Sequence, residues 1–143
     1  MIPTRLSLIT YNLWLTERWP ARADALERFL KLFAPDVLCV QELQRPTQEF
    51  LDSVLKEHDR VRDPFPGWTN ESNIYWSKAL FESTEYGAEE VGHLEPERRM
   101  FWTRLRLKPI PKTIFVATAH LTSPRNRDEG ESDYLFVLGD LIR

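Results

Sequence analysis

The chain has a single cysteine, Cys39, in 143 residues, which excludes any disulfide within it. That cysteine lies in the apolar run Val37-Leu38-Cys39-Val40 and reads as a small buried hydrophobe, in keeping with a reducing compartment. Long apolar runs are missing too: none approaches the roughly 18 residues of a membrane span. No basic segment followed by an apolar one opens the sequence, as a secretory signal would. The expected setting is therefore intracellular, cytoplasmic or nuclear. Charge of one sign is also scarce, with 19 Lys and Arg against 22 Asp and Glu for a net charge of -3. No overall positive field draws the chain onto nucleic acid. A nuclease is not excluded, because a local patch such as Arg98-Arg99 or Arg125 and Arg127, or a bound cation, supplies that field where it is needed.

What the chain does have is large apolar side chains: 42% of residues are hydrophobic, and there are five tryptophans and eight phenylalanines. That is the composition of a globular protein, and the length suits one domain over residues 1–143. No repeat or low-complexity tract interrupts it.

The opening segment Leu6-Ser7-Leu8-Ile9-Thr10-Tyr11 predicts a strand ending near Asn12. Pro20 is placed to open a helix whose apolar face is Leu26, Phe29, Leu30 and Phe33, with Pro35 stopping it. The continuous run from Val37 to Val40 predicts a strand buried on both faces. A second helix is expected over 47–56, with Phe50, Leu51 and Val54 inward. Strand, helix, strand, helix in that order favours an α/β domain with parallel pairing near its start. After the turn Asp63-Pro64-Phe65-Pro66-Gly67, strands without helices are expected over 73–76, 80–86, 100–107 and 114–120. The last two are read as an antiparallel pair joined through Pro109-Ile110-Pro111-Lys112. A polar loop over 122–133 and a strand over 134–138, ending at Gly139-Asp140, complete the reading.

Several of these strands end in a polar residue of catalytic type: Asn12, Glu42, His120 and Asp140. Ligands gather at strand ends in α/β sheets, where side chains from separate strands converge. Glu42 offers a hard carboxylate donor suited to Mg²⁺, or is an ordinary strand-end glutamate in solvent. Asn12 can touch a metal, its water or a phosphate, or simply form a turn. His120 can donate to a phosphoryl oxygen or move a proton, or be a structural histidine at the rim of the core. Asp140 can orient a water, or cap a helix.

The segments LSLITYNLW, PDVLCVQEL and VATAHLTS, with SNIYW and RRMFWTRLRL between them, resemble the ordered signatures of the endonuclease/exonuclease/phosphatase family. The resemblance spans nearly the whole chain. It implies a deoxyribonuclease I-like α/β fold: part of a four-layer sandwich, with a mixed β-sheet carrying helices on one face. Glu42 resembles the family's Mg²⁺ ligand (Mn²⁺ being an alternative ion), and Asn12 the asparagine beside that metal and the scissile phosphate. His120 resembles a phosphate-contacting histidine, and Asp140 the aspartate that positions the attacking water. The implied chemistry is phosphoester hydrolysis, with nucleic acid, a phospholipid head group or an inositol phosphate as substrate.

The pattern also departs from the family's. The asparagine of its GDxN motif falls at Ile142, which cannot hydrogen-bond, and only 19 residues separate His120 from Asp140. The family's C-terminal half, with its serine-aspartate-histidine motif, has no counterpart here. Ser132-Asp133-Tyr134 does not replace it. The chain is therefore read as an N-terminal portion: a fragment, a spliced product, a shortened paralogue, or a member completed by another chain. Half the fold is expected to leave an apolar sheet face open to self-association or to a partner protein, and to be weakly active or inactive. Two alternatives stand beside the enzyme: a non-catalytic remnant that binds a phosphate-bearing ligand or a partner, and an unrelated α/β binding domain.

Overall fold

The structure, a computed structural model, describes residues 5–121. Its elements are β1 (Leu8–Asn12), α1 (Ala23–Phe33), β2 (Val37–Gln41), α2 (Arg45–Val54), β3 (His58–Arg60), α3 (Gly67–Asn70), β4 (Ser72–Ser77), β5 (Phe81–Glu89), β6 (Met100–Leu107) and β7 (Thr113–Ala119). The expected loop over 122–133 and the strand before Asp140 lie outside the described residues.

Two sheets form, one in the order β1-β2-β4-β3 and one in the order β5-β6-β7. The expected parallel pairing is that of β1 with β2, and the expected antiparallel hairpin is β6 with β7. Side chains alternate across a strand, and that alternation builds the layers. From the first sheet, Leu38, Val40 and Tyr75 point toward Leu26 and Leu30 of α1 and Leu51 of α2. Val37, Cys39, Ile74 and Trp76 point the other way, into Phe81, Phe101, Leu105 and Val116 of the second sheet. All five residues of β2 are buried because both of its faces are covered. The architecture is mixed α/β, with helices on one face of the first sheet and the second sheet on the other.

Over β2 and β4 both faces of the first sheet are covered, one by the helices and one by the second sheet. Among the described residues, β1 pairs on one side only. In the parallel register Leu8 lies beside Val37, on the side that faces the second sheet, yet it is 57% exposed. On the outward side of the second sheet, Trp102 and Phe115 stack at 5.3 Å, and the ion pairs Arg104–Glu85 and Arg106–Glu82 follow along β6.

Three local expectations change. Helix α1 begins at Ala23, not Pro20, because residues 13–22 fold into a loop with Trp14, Leu15 and Arg18 in left-handed backbone. The Arg22 guanidinium ties that loop down through the carbonyls of Glu17 at 2.7 Å and Leu13 at 2.8 Å. Helix α2 starts at Arg45, where Gln44 and Thr47 form a capping box around Pro46. Finally, the single turn α3 falls where strands without helices were expected, and β3 falls in a stretch to which no element was assigned. The C-terminus of α1 follows expectation: Ala34 takes a left-handed cap ahead of Pro35.

Candidate functional site

Topology brings four chain segments to one end of the sandwich. Parallel strands β1 and β2 finish together, placing Asn12 beside Gln41 and Glu42 just beyond. Strand β4 runs antiparallel to β2 and pairs Ser72 with Gln41, so the residue before it, Glu71, arrives at the same end. From the second sheet, β7 ends at Ala119 and delivers His120.

Asn12 Nδ2 donates to Glu42 Oε1 at 2.8 Å, and Asn12 Oδ1 accepts from the Trp14 amide at 2.8 Å. The same Glu42 Oε1 lies 3.2 Å from His120 Nε2. The structure thus gathers three of the four sequence-predicted residues around Glu42 Oε1, while Asp140 lies outside the described residues. Glu42 has φ 52, a left-handed conformation uncommon for a residue with a Cβ. The surrounding backbone holds it there: the Leu15 amide donates to the Glu42 carbonyl at 3.1 Å, and the Leu43 amide to the Glu71 carbonyl at 3.0 Å.

Glu71 is the residue that sequence reasoning missed. Its Oε2 lies 3.5 Å from His120 Nδ1, so the imidazole stands between two carboxylates. On its other side, Glu71 Oε1 lies 3.5 Å from Arg98 Nε, and Arg98 also contacts Glu95 at 3.0 Å. Burial pushes the Glu71 carboxyl upward, but the neighbouring His120 and Arg98 outweigh it and hold the group below its ordinary value. A signal for it existed: a carboxylate just before an apolar strand that runs antiparallel to one ending in a carboxylate. The pairing partner, however, is invisible in sequence.

The donor set fits a hard divalent cation. Mg²⁺ takes one or two carboxylates and keeps its remaining places for water and substrate oxygens. Glu42 supplies a carboxylate and Asn12 an amide oxygen with a second lone pair, while Glu71 Oε2 is buried without a hydrogen-bond partner. The Glu42 and His120 side chains keep 19% and 21% of their exposure, which leaves the site reachable from solvent.

The endonuclease/exonuclease/phosphatase family model matches residues 9–141, nearly the whole chain. The chain belongs to this family. Solved structures agree in fold. The D. rerio TDP2 complexed with single-strand DNA product aligns at TM-score 0.78 and 21% identity, over 96% of this chain and 54% of that one. The endonuclease/exonuclease/phosphatase from Bacteroides vulgatus aligns at TM-score 0.79 and 16% identity, over 99% and 60%. The Bacteroides thetaiotaomicron mannosyl-6-phosphatase aligns at TM-score 0.78 and 15% identity, over 96% and 59%. At these identities the likeness carries the fold. The chain spans 54% to 60% of the length of these three structures. Among curated proteins no relative matches. Enzymes of the family generally depend on a divalent metal, in line with the oxygen donors at the strand ends. No helix among the described residues is long and apolar enough to cross a membrane.

Proposed function

We propose that this chain carries the metal-binding and phosphate-contacting part of a Mg²⁺-dependent phosphoester hydrolase. The observation that supports it best is the meeting of Asn12, Glu42 and His120, from three strands of two sheets, around one carboxylate oxygen. Glu42 would hold Mg²⁺, or Mn²⁺ in its place, with Asn12 beside it. The ion supplies positive charge against the phosphate oxygens.

The chain's own residues do the rest. Asn12 fixes the Glu42 carboxylate through its amide hydrogen bond. His120 would donate from Nε2, the nitrogen that faces Glu42 here, to a phosphoryl oxygen, and charge on that oxygen would strengthen the bond in the transition state. Glu71 holds the ring from its Nδ1 side. Asp140 is assigned the attacking water by resemblance alone. The substrate class is a phosphate ester; no residue described here selects among nucleic acid, a lipid head group, an inositol phosphate or a sugar phosphate.

A second reading rests on Ile142, which replaces a hydrogen-bonding asparagine: a site that binds phosphate esters and turns them over slowly or not at all. Hydrolysis of a generic phosphodiester by the purified chain, with and without Mg²⁺ and beside Glu42→Ala, separates the two. We expect slow, Mg²⁺-dependent turnover that Glu42→Ala abolishes. Turnover indifferent to chelator would overturn the metal assignment. Mg²⁺-dependent binding of the ester without hydrolysis would leave the binding reading in its place.

A further inference from the structure

Gln41 is the last residue of β2, and its side chain is buried between the two sheets, 8% exposed. Both amide hydrogens are used. Nε2 donates to Thr10 Oγ1 on β1 at 2.9 Å and to Thr118 Oγ1 on β7 at 2.8 Å. The first bond stays within one sheet, whereas the second crosses to the other.

All three of these residues sit next to the candidate site. Gln41 immediately precedes Glu42, Thr10 is two residues before Asn12, and Thr118 is two before His120. Two steps along a strand return to the same face, so each threonine lies directly beneath a site residue. Asn12 and Glu42 belong to the first sheet and His120 to the second, so the 3.2 Å approach of His120 Nε2 to Glu42 Oε1 depends on how the two sheets sit at this end. Apolar packing between sheets is non-directional and sets that offset loosely. A buried hydrogen bond fixes both a distance and a direction, and the low dielectric around it makes its loss costly.

We propose that Gln41 is a positioning residue, bridging Thr10 and Thr118 so that His120 is held within reach of Glu42. Its consequence for catalysis rests on the phosphoester-hydrolase reading, but the geometric claim does not.

The test uses Gln41→Met, which keeps the volume and removes the donor, and the milder pair Thr118→Val and Thr10→Val. Gln48→Met is the control: Gln48 is a similarly buried glutamine, 6% exposed, whose amide donates to the Trp68 carbonyl of α3 at 3.1 Å and not to a strand of the second sheet. Two quantities are read. The first is the shift of the His120 ring ¹⁵N resonances when Glu42→Gln is added, which reports contact between the two residues without any need for activity. The second is phosphodiester hydrolysis, resolved into kcat and KM.

In the parent chain and in Gln48→Met, the His120 resonances respond to Glu42→Gln. In Gln41→Met and Thr118→Val the response collapses, and kcat falls by up to about a hundredfold with little change in KM, the cost of a catalytic group displaced by about 1 Å. Thr10→Val, which cuts only the bond within one sheet, has the smaller effect. Equal effects of Gln48→Met and Gln41→Met would mean a general loss of stability and would overturn the inference. So would an unchanged His120 response in Thr118→Val. If the parent chain hydrolyses nothing, the hydrolase reading falls while the resonance experiment still decides the role of Gln41.

Discussion

His120 Nδ1 lies 3.5 Å from Glu71 Oε2, on the side of the ring opposite Glu42. A histidine placed in this way has its orientation set by one carboxylate while its other nitrogen faces the candidate metal ligand. Such a contact, longer than a good hydrogen bond, tightens or loosens with the charge on its partners.

Glu71→Gln tests that contact through pH. Burial raises the Glu71 carboxyl, but His120 and Arg98 more than compensate, so the folded value is depressed below 4.5. A depressed carboxylate adds stability that is present above the unfolded value and is lost as pH falls through the folded one. The stability difference between the parent chain and Glu71→Gln should be level at neutral pH and shrink as pH falls below about 4.5. Urea midpoints measured from pH 7 down to pH 3 check this; a difference independent of pH would remove Glu71 from the charge network.

Glu42 holds a left-handed backbone with φ 52. A residue bearing a Cβ is disfavoured there by roughly 1–2 kcal/mol, whereas glycine is not. Glu42→Gly should therefore be more stable than Glu42→Ala by about 1 kcal/mol, and both variants should have lost any response to Mg²⁺. Thermal unfolding compared with Mg²⁺ titration separates the backbone contribution from the carboxylate's. An alanine variant as stable as the glycine variant would mean the backbone relaxes out of that conformation.

Burial pushes the Cys39 thiol up to about 12. The folded chain should resist iodoacetamide at pH 8, with modification appearing only in denaturant, because the thiolate is the reactive form. A thiol raised on folding contributes stability that is intact below its unfolded value of 9.0 and declines as pH rises from there toward 12. Rapid labelling of the native chain at pH 8 would contradict the packing of β2.

Gly67 opens α3 against the second sheet. A Cβ there would meet the Glu97 carbonyl oxygen at 2.5 Å and Phe101 Cζ at 2.8 Å. The first is backbone and cannot rotate away, so Gly67→Ala should destabilise the fold by about 1–3 kcal/mol through overpacking. Chemical denaturation reads the loss directly. A neutral result would show that the loop bearing Glu97 yields freely.

How far the sequence could be read varies with the element. The continuous run of β2 and the alternation of β6 announced themselves, since burial on two faces or on one leaves a periodic mark. The strand His58-Asp59-Arg60 left none: it is a short polar edge that exists because β4 offers it hydrogen bonds. The start of α1 was misjudged because Pro20 suits a helix start in isolation, while the carbonyls gathered by Arg22 keep residues 13–22 in a loop. Asn12, Glu42 and His120 were legible as polar residues at strand ends. Glu71 was not, since its place just before an apolar strand means nothing until the pairing of β4 with β2 is known.

By itself, then, the sequence determined the longer strands and the presence of the two main helices, which family their order belongs to, and which residue types stand at the strand ends. These properties are local or ordered along the chain. Only the tertiary structure decided that Asn12, Glu42 and His120 share one oxygen, that Glu71 joins them, and that Gln41 ties the two sheets beneath them. Those contacts join residues 30 to 78 positions apart. They depend on strand register and on the offset between two sheets, which are set by long-range pairing and packing together with bridges such as that of Gln41, and leave no periodicity in the sequence.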